Sequence, residues 1–129
     1  MNLDQLQRAF KETYHRSPQF IVRAPGRVNI LGEHVDYNDG PVLPAAIDQA
    51  VYIAVASSED GCTCLHALDL SEQVIFRLDN LTEKRDTENN PLPGWALYPA
   101  GVAWALQEAG LYTAGLLAAY TSEIPIGSG

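Results

Sequence analysis

From Arg27 to Asp36 the chain reads Arg-Val-Asn-Ile-Leu-Gly-Glu-His-Val-Asp, a segment that sets one cation close to Glu33, His34 and Asp36. This inventory suits a polyol. Each sugar hydroxyl both donates and accepts, so carboxylates take its proton while an imidazole serves either side. Hydrogen bonds to charged groups are about twice as strong as neutral ones. A site built around particular hydroxyls also rejects an epimer, because a misplaced hydroxyl leaves buried polar groups unpaired. On composition alone the plainer reading is a solvated acidic turn with an ordinary salt bridge to Arg27.

The elements that must position these residues follow from periodicity. Leu3, Leu6, Phe10 and Tyr14 recur at helical spacing, so a first amphipathic helix is expected, ending near Ser17-Pro18. Gln19–Ala24 reads as a strand, broken by Pro25-Gly26 and resumed over Val28–Leu31. Glu33 to Pro41 is polar and turn-rich. Ala50–Ala56 is apolar almost throughout, as expected of a strand covered on both faces. Ser58–Gly61 reads as a hairpin-like turn into a partner strand, Cys62–Leu68, and Val74–Leu78 is a further strand. Asp79 to Pro93 reads as a surface loop, Trp95–Ala109 as a second helix closed by Gly110, and Gly115–Ser122 as a last strand. The order predicts an α+β layer architecture.

The net charge of −8 argues against nucleic acid or an anionic membrane as partner. It does not argue against ATP, whose phosphates are held locally by backbone N–H groups. Cys62 and Cys64 read as reduced, buried thiols, since a disulfide at that spacing would be strained and no second Cys/His pair completes a metal site. The first residues lack the basic and apolar regions of a signal peptide, and a cytoplasmic location is expected.

Ala24-Pro25-Gly26-Arg27-Val28-Asn29-Ile30-Leu31-Gly32-Glu33-His34-Val35-Asp36-Tyr37-Asn38-Asp39-Gly40, with Val42-Leu43-Pro44-Ala45-Ala46-Ile47-Asp48 after it, closely resembles the signature segment of the galactokinases. Two further matches keep the family's order. Trp95-Ala96-Leu97-Tyr98-Pro99-Ala100-Gly101-Val102 resembles a family helix, and Ile124-Pro125-Ile126-Gly127-Ser128-Gly129 looks like the first half of its phosphate loop. The resemblance implies the N-terminal domain of the superfamily that also holds homoserine, mevalonate and phosphomevalonate kinases. That domain is α+β and ribosomal-protein-S5-domain-2-like, a mixed sheet with helices packed on one side, here incomplete.

By the same resemblance, Arg27 is the transition-state stabiliser beside the reacting C1 hydroxyl, and Glu33, His34, Val35 and Asp36 bind the sugar. Gly127, Ser128 and Gly129 open the loop around the ATP phosphates, and Trp95 lies near the adenine unless it is a core aromatic anchoring its helix. His66 falls where many relatives contact nucleotide through a serine, but a strand histidine is more often simply packed and hydrogen-bonded. Galactose and ATP are the implied ligands, with Mg2+ the implied cofactor of the complete enzyme. The catalytic base, the magnesium ligands and a C-terminal domain find no counterpart in residues 1–129, which are therefore expected to be a truncated, inactive piece with apolar surface left for self-association. An N-acetylgalactosamine kinase, a galactokinase-like sugar sensor and a non-catalytic scaffold are the alternative readings.

Overall fold

The computed structural model describes residues 3–32, 34–125 and 127, and the backbone alone of Asp36. The first helix, α1 (Leu3–Tyr14), buries Leu6 and Phe10 on one stripe and leaves its charged residues outside. Strands β1 (Phe20–Leu31), β2 (Leu43–Ser57), β3 (Cys62–Ala67) and β4 (Glu72–Arg77) follow. The second helix, α2 (Gly94–Glu108), leads into β5 (Leu116–Ser122). Short 3-10 turns occupy Asp36–Asn38 and Leu78–Glu83.

The five strands form one mixed sheet in the order β1-β2-β5-β3-β4, with β3 and β5 parallel and the other neighbours antiparallel. The expected β2–β3 hairpin is therefore split. The Ser58–Gly61 turn joins the two strands, but β5 enters between them and takes both sets of hydrogen bonds. Gly115 makes the entry possible: a Cβ there would stand 2.5 Å from the Cys62 carbonyl oxygen and 2.6 Å from the Gly61 carbonyl carbon. Its own carbonyl accepts from Ser58 N–H at 2.9 Å, closing the fork.

Neighbouring residues of a strand face opposite sides, and β5 shows what this does to the core. Ala119 packs with Leu6, Phe10, Ala54 and Ala56 under α1, whereas Ala118 packs with Leu65, Val74, Phe76, Ala96 and Ala100 under α2. The mixed sheet is as expected, but the helices lie one on each face and not on one side. The cause is β2, whose Ile53 and Val55 alternate with Ala54 and Ala56, so both faces require cover. Small residues on the α1 face let that helix approach closely. Tyr14 then donates its hydroxyl proton toward the Ala118 and Cys64 carbonyls at 2.9 and 3.2 Å.

The segment expected as a surface loop before α2 contributes to the core through Leu81 and Leu92. It is closed by Leu92 N–H to Lys84 O at 2.8 Å and by an Arg85–Pro91 bridge. Helix α2 ends as expected: Gly110 takes φ +76°, with Gly110 N–H bonded to Gln107 O and Leu111 N–H to Leu106 O.

Candidate functional site

Strands β1 and β2 form a long hairpin whose tip carries the signature residues. Arg27 pairs with Ala46 and Leu31 with Leu43, so Arg27 stands four residues, roughly 13 Å, from the last pair before the tip. The expected break at Pro25-Gly26 is a register irregularity within a continuous strand: Pro25 pairs with Ala50 and Arg27 with Ala46, leaving Ile47, Asp48 and Gln49 opposite Gly26 alone. Proline is tolerated because β1 is an edge strand. Arg27 is exposed, and neither ion pair between described residues involves it. A salt bridge from Arg27 to a described residue is thus not part of the structure.

The tip is shaped by two glycines. Gly32 takes φ +95°, and a Cβ there would meet the Pro41 carbonyl oxygen at 2.7 Å and Val42 Cα at 2.9 Å. A Cβ on Gly40 would meet Val35 Cβ at 2.8 Å. The Val35 carbonyl accepts from both Asn38 N–H (3.0 Å) and Gly40 N–H (2.9 Å), which folds the tip back on itself. His34 is exposed, takes φ +60°, and lies edge-on to Tyr37 at 6.3 Å between ring centres. Val35 is half-buried in the turn, and Asp36 opens the short 3-10 turn. Glu33 and the Asp36 side chain lie outside the described residues.

The end of β5 comes to the same hairpin. A Cβ on the buried Gly26 would stand 2.8 Å from Ile124 Cδ1 and 3.0 Å from Ile47 Cδ1. The residue beside Arg27 therefore touches the segment leading to Gly127, which takes φ +83°. Ser128 and Gly129 lie outside the described residues.

Trp95 is half-buried against the α2 core, meets Tyr120 edge-on at 5.9 Å, and donates its indole N–H to Glu72. These contacts match the anchoring role. His66 faces α1: its Nδ1 lies 3.1 Å from the Thr13 hydroxyl oxygen, which is also 2.9 Å from Ala9 O. Cys62 and Cys64 are free thiols, and Gln73 Nε2 donates to Cys64 Sγ at 3.0 Å. Among the described residues no group of three or more His, Cys, Asp or Glu side chains converges. The donor set of the described residues does not fit a magnesium site. No helix among the described residues is long and apolar enough to cross a membrane.

One residue near the site carries no signal in the sequence. Asp69, on the turn after β3, accepts from Thr121 Oγ1 and from Ser122 N–H, each at 2.7 Å. Burial, then the charges of Asp69 and Glu72, push the Tyr120 phenol up to about 12.

The family model described as "Galactokinase galactose-binding signature" matches residues 8–57. The galactokinase of Streptomyces coelicolor is 40% identical over 121 residues, covering 93% of this chain and 30% of that protein. The Mannheimia succiniciproducens galactokinase is 39% identical over 127 residues, covering 98% and 32%. The crystal structure of Lactococcus lactis galactokinase complexed with galactose superposes with a TM-score of 0.80 at 31% identity, over 98% of this chain and 32% of that one. The Methanococcus jannaschii mevalonate kinase shares the fold, with a TM-score of 0.62 at 23% identity over 85% of this chain and 34% of that one. The chain spans about a third of the length of the curated relatives it matches. The likeness read from the signature segment holds along nearly the whole chain, in sequence to curated galactokinases and in fold to a solved one.

Proposed function

We propose that this chain carries the galactose-recognition segment of a galactokinase, the enzyme that transfers the terminal phosphoryl group of ATP to the C1 hydroxyl of galactose. The observation that supports the reading is the close approach of Ile124, in the segment leading to Gly127, to Gly26, the residue beside Arg27 on the signature hairpin. The match of residues 8–57 to the galactose-binding signature supports the choice of sugar.

In this reading Glu33, His34, Val35 and Asp36 hold the hydroxyls away from C1. The Arg27 guanidinium stabilises negative charge on the C1 oxygen and on the transferred phosphoryl. Phosphoryl transfer asks a protein mainly for such positioning and charge stabilisation. The backbone N–H groups of Gly127, Ser128 and Gly129 open the phosphate cradle. Magnesium, bound elsewhere in a complete enzyme, would supply neutralisation of the ATP phosphates. No residue of these 129 is assigned as base toward the C1 hydroxyl. The chain by itself is accordingly expected to bind galactose without transferring phosphate, in the cytoplasm.

The test is a chimera in which these 129 residues replace the matching third of the Lactococcus lactis galactokinase. Incubated with galactose and magnesium–ATP, it should form galactose 1-phosphate, read by phosphorus NMR. Arg27→Ala in the chimera should lower kcat by about a hundredfold or more while changing the KM for galactose by less than threefold. An Arg27→Ala chimera that keeps wild-type kcat would remove the assigned role.

A further inference from the structure

The last turn of chain before the glycine loop is held from three sides. On the β3 side, Leu68 N–H bonds to Tyr120 O at 3.0 Å and extends the parallel ladder beyond Ala67. The chain then turns tightly, with Leu70 N–H to Ala67 O and Ser71 N–H to Leu68 O, which fixes the backbone of Asp69. The Asp69 carboxylate spends both oxygens on β5: Oδ1 on the Thr121 hydroxyl and Oδ2 on the Ser122 N–H.

On the β2 side, Glu123 N–H bonds to Ala50 O at 3.0 Å, and Glu123 Oε2 accepts from Ala50 N–H at 3.2 Å. Ahead, the Ser122 hydroxyl accepts from Ile124 N–H at 3.0 Å and donates to Ile124 O at 2.8 Å. That pair turns the chain so that Ile124 meets Gly26 and Ile47. Thr121 is a buried polar residue at 4% exposure, so its hydroxyl needs a hydrogen-bond partner, which the side chain at position 69 supplies.

We propose that Asp69 is a positioning residue for nucleotide phosphate binding: by holding Thr121 and Ser122 it fixes the direction in which the chain leaves β5 toward Gly127. The proposal rests on the kinase reading above. A carboxylate that served only its own turn would bond the N–H groups of that turn. Here both oxygens reach the neighbouring strand at its last two residues. Phosphate cradles work through fixed N–H directions, so a small reorientation of the exit weakens them. Asparagine at position 69 can still accept from Ser122 N–H while its amide donates to the Thr121 oxygen, whereas alanine can do neither.

Two measurements test the proposal. In the 129-residue chain, Asp69→Ala should speed amide hydrogen exchange over Ser122–Gly127 at least tenfold, with exchange in α1 and the β1–β2 hairpin within twofold of wild type. Unchanged exchange at Ser122–Gly127, or acceleration spread evenly over the sheet, would overturn the positioning role. In the chimera, Asp69→Ala should raise the KM for ATP about fivefold, with the KM for galactose unchanged and Asp69→Asn within twofold of wild type. Thr121→Val, which keeps the strand shape and removes only the hydroxyl, should move the ATP KM in the same direction. Equal effects on both substrates, or no difference between the alanine and asparagine variants, would sink the proposal. An Asp69-intact chimera without turnover would instead refute the kinase reading, and with it the phosphate part of this proposal.

Discussion

Gly32→Ala is the substitution whose consequence follows most directly from the geometry of the tip. At φ +95° the position lies where a side chain is strained by about 1–3 kcal/mol. The added Cβ would also stand 2.7 Å from the Pro41 carbonyl oxygen and 2.9 Å from Val42 Cα. Two of the three nearest atoms are backbone, so no side-chain rotation relieves the contact, and overpacking of this kind costs about 1–3 kcal/mol more. The tip is exposed and joins only β1 to β2, so the cheaper escape is to reshape residues 32–42 and spare the sheet. Taking about 2 kcal/mol as the lower end, galactose affinity should fall about thirtyfold or more. The thermal midpoint should drop by only a few degrees. Calorimetric titration with galactose, beside a circular dichroism melt, reads both effects. Gly61→Ala is the control, since Gly61 takes φ +74° but nothing lies within 4 Å of its Cβ position. It should lose some stability and no affinity. A folded Gly32→Ala protein that binds galactose within threefold of wild type would refute the reasoning.

Gly115→Ala should be far more damaging to the fold, by about 3 kcal/mol, because its Cβ would strike the backbone of the split hairpin at 2.5 Å. Urea denaturation checks this, and a midpoint unchanged from wild type would contradict the packing described. Alkaline pH should destabilise the protein through Tyr14 and Tyr120. Burial, the larger cause for both, raises their folded-state values above the ordinary phenol value of 10.0. Their stabilising contribution is therefore whole below pH 10 and declines as pH rises toward the Tyr120 value of about 12. Tyr14→Phe should cost about 1 kcal/mol at neutral pH, by loss of the bond to Ala118 O, and should flatten the decline above pH 10. Urea midpoints followed from pH 8 upward distinguish a flattened profile from a parallel one.

Local signals are legible in the sequence, whereas the meeting of distant segments is not. Helix α1 spans Leu3–Tyr14 because its apolar spacing and the following Ser17-Pro18 are local signals. The Gly110 stop of α2 is equally local. What the sequence does not display is which distant segment arrives beside a given residue. Ser58–Gly61 reads as a hairpin turn, and nothing near it announces that β5 will part the two strands. Gly26 reads as a strand breaker, yet it is buried within a strand because Ile124 closes on it. Ala50–Ala56 is apolar on both faces, so each face takes a helix, in contrast to the one-sided packing that the family resemblance implies. The start of β2 was hidden by Pro44 and by the polar Asp48-Gln49 pair. In the site, the signature residues stood out as a motif, whereas Asp69 acquires its partners only when the β3 turn comes to rest beside the end of β5.

The claim that Glu33, His34 and Asp36 form a sugar site on a hairpin tip is tested most directly by titrating the 129-residue chain with galactose and, in parallel, with glucose. The account predicts saturable, one-site binding of galactose, at least tenfold weaker binding of glucose, and loss of the galactose response in His34→Ala. No response to galactose, or the same response to both sugars, would contradict it.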